Sequence, residues 1–273
     1  MERLKKLYKD ILIIIKKPVM SILPGQLAFS FVLTIIPLLA LIALVASMFS
    51  ISLDSITNFI KETFPTAVSG LLLPLINGRG FDFSVLIFLF SALLLASSGA
   101  NSIITASDII YDLPPQNFIS KRIKAFIMTF VLLMLVAFLL VVLAFGDKIL
   151  LLITSLPHIS HIKGEIMSIY YLLKYPLSFI LILFNIKIIY TMAPNKEIKS
   201  KSVTTGALFT TITWIIITQI YSFWINNVVH YDIFYGSISN IIILLMWMYF
   251  LAYAFVIGLV MNAGINIENK NKL

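Results

Sequence analysis

Residues 233–267 contain no charged side chain, an uninterrupted run of 35 residues held between Asp232 and Glu268. A bilayer's hydrocarbon core is about 30 Å thick, and a helix rising about 1.5 Å per residue crosses it in roughly 20 residues. No water is available there, so the run must satisfy its backbone groups internally, and a helix is the single-segment solution. Its polar side chains gather near the ends, at Ser237, Ser239 and Asn240 on one side and Asn262 on the other. A chain containing such a stretch is organised around a membrane span.

The rest of the sequence follows the same rule. Hydrophobic residues make up 60% of the chain and charged residues 12%, with a mean hydropathy of +1.03, outside the range of soluble globular domains. Six apolar stretches are long enough to cross, at about residues 26–49, 83–105, 123–145, 166–192, 203–225 and 237–264. Pro24 and Gly25 mark the start of the first, and Pro37 predicts a kink in it. Ala92, Ala96 and Ala100, with Ser98, Ser102 and Ala106, recur at four-residue steps in the second, a pattern that lets helix backbones approach closely.

Leu4, Leu7, Tyr8, Ile11, Leu12 and Ile15 stand at helical spacing among basic residues, which predicts an N-terminal amphipathic helix at the membrane surface. Ile56, Phe59, Ile60 and Phe64 predict a short external interfacial helix within 51–80. No stretch is long and polar enough for a separate soluble domain, so the expected architecture is all-α, one six-span domain over 1–273. The absence of cysteine excludes disulfides and thiolate chemistry.

The net charge of +8 acquires meaning once it is placed. Arg3, Lys5, Lys6, Lys9, Lys16 and Lys17 precede the first span, and Lys121, Arg122 and Lys124 lie between the second and third. Lys196, Lys199 and Lys201 lie between the fourth and fifth, and Lys270 and Lys272 follow the sixth. The opposite connections hold only Lys61, Arg79, Lys148 and Lys163. Fourteen basic residues against four, alternating with each crossing, put both termini in the cytoplasm and make the charge an orientation signal rather than a nucleic-acid surface.

Three stretches carry a resemblance to a known family. They are GQLAFSFVLTIIPLLALI from Gly25, SSGANSIITASDIIYDLP from Ser97, and YTMAPNKEIKS from Tyr190 followed by HYDIFYGSISNIIILLMWMYFLAYAFVIGLVMNAGI. The chain resembles the YihY/BrkB family of bacterial inner-membrane proteins, some of which have been labelled ribonuclease BN. The resemblance implies a six-span protein of the bacterial cytoplasmic membrane, with transport a readier role than catalysis. That family commonly reads GAELNA where residues 258–263 here read GLVMNA, so Val260 replaces an acidic residue and no role resting on it carries over.

Candidate residues follow from polarity at depth. Lys174 lies inside the fourth span, where a charge is costly unless it snorkels, pairs or meets water. Gln219 and Asn240 lie in the outer half, and Gln26, Asn101, Asp108 and Asn262 in the inner half, as companions around a cavity or as contacts between helices. His158 and His161 lack the further ligands that a metal centre needs. Catalytic acids and bases do not cluster, and no phosphate-cradling glycine loop or nucleophile elbow is present. The expected role is a transporter or lipid-handling protein for an anionic lipid or solute, without cofactor, metal or nucleic acid. Its alternatives are a membrane-bound enzyme and a structural scaffold.

The charge alternation makes a direct prediction. In intact cells, Lys199→Cys in this cysteine-free chain will resist an impermeant thiol reagent and react after the membrane is permeabilised, and labelling from outside would reverse the orientation.

Overall fold

The computed structural model describes residues 12–13, 16, 18–48, 57–58, 61, 69, 83–144, 163–227 and 238–270, with side chains left out at some positions within the helices. The amphipathic helix expected in 1–18 and the interfacial helix expected in 51–80 fall mostly outside these residues, as do His158 and His161.

Six long helices account for nearly all of the described chain: α1 Val19–Met48, α2 Phe83–Ile110, α3 Phe118–Ala144, α4 Lys163–Met192, α5 Thr204–Asn227 and α6 Ser239–Lys270. A 3₁₀ turn, Ser200–Val203, leads into α5, and there is no strand among the described residues. Segments Leu93–Ile110, Ser200–Asn227 and Ser239–Gly264 are long and apolar enough to cross a membrane, and Val19–Thr34 and Pro176–Met192 are shorter apolar helices. Large apolar side chains such as Phe130, Leu172, Phe184, Ile216 and Phe223 point outward, as lipid-facing helices require. The protein is an all-α polytopic membrane protein.

Helix boundaries have local causes. α1 starts at Val19, upstream of the Pro24 and Gly25 that read as its beginning. Pro18 sets that start, its carbonyl accepting from both the Ser21 amide at 3.2 Å and the Ser21 hydroxyl at 2.7 Å. α2 ends in a Schellman motif, in which Leu113 N–H bonds the Asp108 carbonyl at 2.9 Å and Asp112 N–H bonds the Ile109 carbonyl at 3.3 Å. Asp112 occupies the left-handed position usually given to glycine, with φ 54°, and Pro114 and Pro115 prevent the helix from resuming. Pro176 is carried inside α4, where surrounding groups can satisfy the carbonyl it frees.

The helices form a closed series in which each packs on the next and α6 returns to α1, with α6 also touching α2. Among the described side chains, the packed core lies toward the start of α1 and α3 and the end of α2 and α4, and runs along both α5 and α6. Phe255 of α6 stands at the meeting point, its ring 6.2 Å from Phe31 of α1, 4.8 Å from Tyr190 of α4 and 6.3 Å from Trp214 of α5.

Small and hydroxyl residues set how closely these helices approach. A Cβ at Gly206 would collide with the Gly258 carbonyl, and one at Gly258 with the Thr210 hydroxyl, so α5 and α6 touch backbone to backbone. A Cβ at Gly99 would strike the Thr34 side chain. The small-residue stripe of α2 behaves as its spacing predicts, since Ala96, Ala100 and Ala106 are buried and the Ser102 hydroxyl lies 2.7 Å from that of Ser30 on α1.

Hydroxyl protons then order the contact. Tyr190 donates to the Phe255 carbonyl at 2.7 Å, so the hydrogen bond between Tyr190 and Thr210, also 2.7 Å, must take its proton from Thr210. Trp214 donates to the Leu251 carbonyl at 2.8 Å and Tyr221 to that of Ile243 at 2.8 Å, tying α5 to α6 along its length.

Gly206→Ala and Gly258→Ala are each expected to destabilise the protein by about 1–3 kcal/mol, the range for forced overpacking. Gly25→Ala, whose Cβ would meet nothing within 4 Å, should leave stability equal or slightly higher. Thermal unfolding of the three variants in detergent checks both expectations.

A basic basin where the helices end

The connection between α4 and α5, residues 193–199, carries the sequence motif APNKEIK, and three neighbouring elements hold it in place. The last carbonyls of a helix lack intrahelical partners and carry partial negative charge. Just beyond the end of α4, Lys124 of α3 brings a positive charge, its ammonium donating to the Ala193 carbonyl at 2.9 Å and the Pro194 carbonyl at 2.8 Å. Ser202 closes the other end, its amide and hydroxyl donating to the Lys199 carbonyl at 2.9 and 2.7 Å.

Asp108 of α2 supplies the third hold. Its carboxylate is 7% exposed, and accepts from the Asn195 backbone N–H at 2.8 Å and the Gln116 side-chain amide at 2.7 Å. The Schellman turn that ends α2 also returns Gln116 to the carboxylate. One residue thus terminates its own helix through its carbonyl and anchors a distant loop through its side chain.

In front of this clamped loop opens a basin of about 760 Å³, lined by Lys124, Thr191, Asn195, Lys196, Glu197 and Lys199 among others. Asn195, Lys196, Glu197 and Lys199 are exposed. Three ammonium groups against one carboxylate leave the basin electropositive. Lys124 has two protein carbonyls as partners, whereas Lys196 and Lys199 present their charge to whatever enters.

The remaining candidates are dispersed. Asn262 is fully buried, and its side-chain oxygen accepts the Gly206 N–H at 2.9 Å, capping the first turn of α5 from the neighbouring helix. Gln26 on α1 and Gln219 on α5 are exposed, and Asn240 at the start of α6 and Asn101 on α2 are half-buried. Lys174 belongs to α4, but its side chain lies outside the described residues. Of those whose side chains are described, none lines the basin, and Asp108 stands behind it. Among the described residues no three His, Asp or Glu side chains gather to hold a metal.

Sequence reading missed two features of this region. The lysines at 124, 196 and 199 count as orientation signals, yet fold into one lining. Tyr190, not singled out by the sequence, joins α4 to α5 and α6 through its hydroxyl. The occurrence of Tyr190 and Lys196 within one motif, YTMAPNKE, was the available signal.

Asp108→Ala removes a buried acceptor from two donors, and hydrogen bonds to a charged group contribute about 1.5–3 kcal/mol each. The expected loss is about 2–4 kcal/mol in thermal or denaturant unfolding, with Asp108→Asn retaining part of it.

The family model described as Virulence factor BrkB matches residues 19–273, from the first residue of α1 to the end of the chain. The Bacillus subtilis protein YfkH, whose name calls it ribonuclease-like, is 26% identical over 254 residues, 90% of each chain. A UPF0761 membrane protein of Chlorobium luteolum is 24% identical over 230 residues, 82% of this chain and 52% of that one. Another from Pseudoalteromonas translucida is 28% identical over 81 residues, 30% of this chain and 27% of its own. The chain thus spans nearly all of YfkH and about half or less of the two UPF0761 proteins. No solved structure matches. With the family matched along all six helices, the chain belongs to the BrkB family of membrane proteins.

Proposed function

We propose that this protein is a transporter or lipid-handling protein for an anionic lipid or solute, in the bacterial cytoplasmic membrane, with both termini cytoplasmic. The basin between α3 and the α4–α5 connection carries this reading, because it presents Lys196 and Lys199 beside the held ammonium of Lys124. It lies at the helix ends that the basic residues mark as cytoplasmic. At that depth the available anions are lipid headgroups and cytoplasmic solutes, and each basic residue near the surface contributes about 1 kcal/mol to attracting an anionic lipid.

Lys174 is the second element of the proposal. In the hydrocarbon a charge needs an anion, a set of carbonyls or water, and Pro176 two residues later frees a carbonyl of α4. The rival reading is a membrane-bound enzyme, which the name of YfkH suggests for that relative. Asp108, the most buried carboxylate described, has both its oxygens engaged by protein donors, which favours a structural role over an acid–base one.

The double variant Lys196→Gln/Lys199→Gln, reconstituted in lipid nanodiscs, should bind anionic phospholipid about thirty-fold more weakly, as expected for losing two such charges. Native mass spectrometry across a lipid titration reads this directly, and an unchanged affinity would overturn the assignment.

A further inference from the structure

We propose that a groove on the flank of the bundle, between α1 and α6, holds one acyl chain of a membrane phospholipid. The inference deepens the reading above by making the cargo a lipid rather than a soluble anion, and it rests on that reading only in treating the bound molecule as cargo.

The groove has a volume of about 450 Å³, within the range of small-molecule sites. Its α1 wall is Gly25, Ala28 and Phe29. Gly25 is the gap that makes it a groove, since a Cβ there would meet nothing within 4 Å. The α6 wall is Leu245, Met246 and Phe250, one face of the helix, with Tyr249 beside them. Apart from the Tyr249 hydroxyl and the weakly accepting Met246 thioether, the lining side chains are hydrocarbon. Water needs polar partners to occupy such a space, and a void would forfeit dispersion contacts on its lining.

The surrounding medium identifies the occupant. Leu245 to Phe250 lie within Ser239–Gly264, the most hydropathic of the segments able to cross a membrane, so the groove opens to hydrocarbon. A second copy of the chain is the competing occupant. Phe29, Tyr249 and Phe250 are 59%, 40% and 41% exposed, so their rings stand out from the surface. They obstruct the close backbone approach by which small residues pair membrane helices, while a flexible chain can lie between them. Met246, the most adaptable side chain of the wall, can follow its shape.

The test uses the full chain in bilayer nanodiscs containing phospholipids with a photoreactive diazirine midway along one acyl chain, in zwitterionic and anionic forms, followed by peptide mapping. Adducts should concentrate on residues 25–29 and 245–250 over equally outward residues such as Phe184, Ile216 and Ile220. Gly25→Leu, whose Cβ meets nothing within 4 Å and whose side chain extends into the groove, should lower groove adducts about ten-fold, equivalent to displacing about two methylene groups. Adducts at Phe184 and the unfolding temperature should stay unchanged.

Even labelling of all lipid-facing residues in the wild type overturns the proposal, whatever the variant does. So does insensitivity to Gly25→Leu, or cross-linking of α1 in one copy to α6 in another. Groove labelling by both lipid classes, without any anionic preference at the basin, would uphold the groove and remove the anionic reading alone.

Discussion

Helices already in a bilayer gain little by hiding apolar side chains from one another, because the surrounding chains are equally apolar. What joins them is close contact and hydrogen bonding, and in this protein both converge where α5 meets α6. The two glycines at 206 and 258 let backbone touch backbone. The Asn262 side chain then reaches the Gly206 amide, and Tyr190 reaches the Phe255 carbonyl from α4. With α4, α5 and α6 fixed at one level, Phe255 is held against Phe31 of α1, and the contacts of α1 with α2 follow through Ser30, Ser102 and Thr34. Most of these partners are uncharged, which suits a medium where an unpaired charge is expensive.

The ionic residues are used at the helix ends instead. Lys124 and Asp108 have opposite charge, but both bond the backbone of the same loop, Asp108 accepting from the Gln116 side chain as well. Lys124 satisfies the two carbonyls that follow α4, and Asp108 satisfies an amide that the turn leaves open. The loop between α4 and α5 is therefore shaped by α2 and α3, and its remaining lysines are presented from a fixed frame. A binding surface built this way loses less freedom when a ligand arrives than one on an untethered loop.

Basin and groove suit different parts of one class of molecule. The basin offers charge where the helices end, and the groove offers apolar walls along α1 and α6. The aromatic residues of α6 divide between two tasks, with Phe255 and Trp247 buried in the bundle and Tyr249, Phe250 and Tyr253 turned outward. The same uninterrupted apolar run thereby supplies both the centre of the packing and a wall open to lipid.

Much of the fold was legible in the residues. Crossing segments are local in the chain and depend on length and hydropathy alone, so the run at 233–267 and its weaker companions announced six helices. The four-residue steps of alanine and serine in α2 announced a close contact, and it forms. The partner of each polar residue was not legible. Asn262 and Asp108 read as cavity candidates, yet one caps a helix 56 positions earlier and the other anchors an amide 87 positions later. Polarity and depth follow from a residue's own neighbours in sequence, whereas a hydrogen-bond partner depends on which helices adjoin and how they are rotated. Packing between distant segments decides that, and only the tertiary structure contains it.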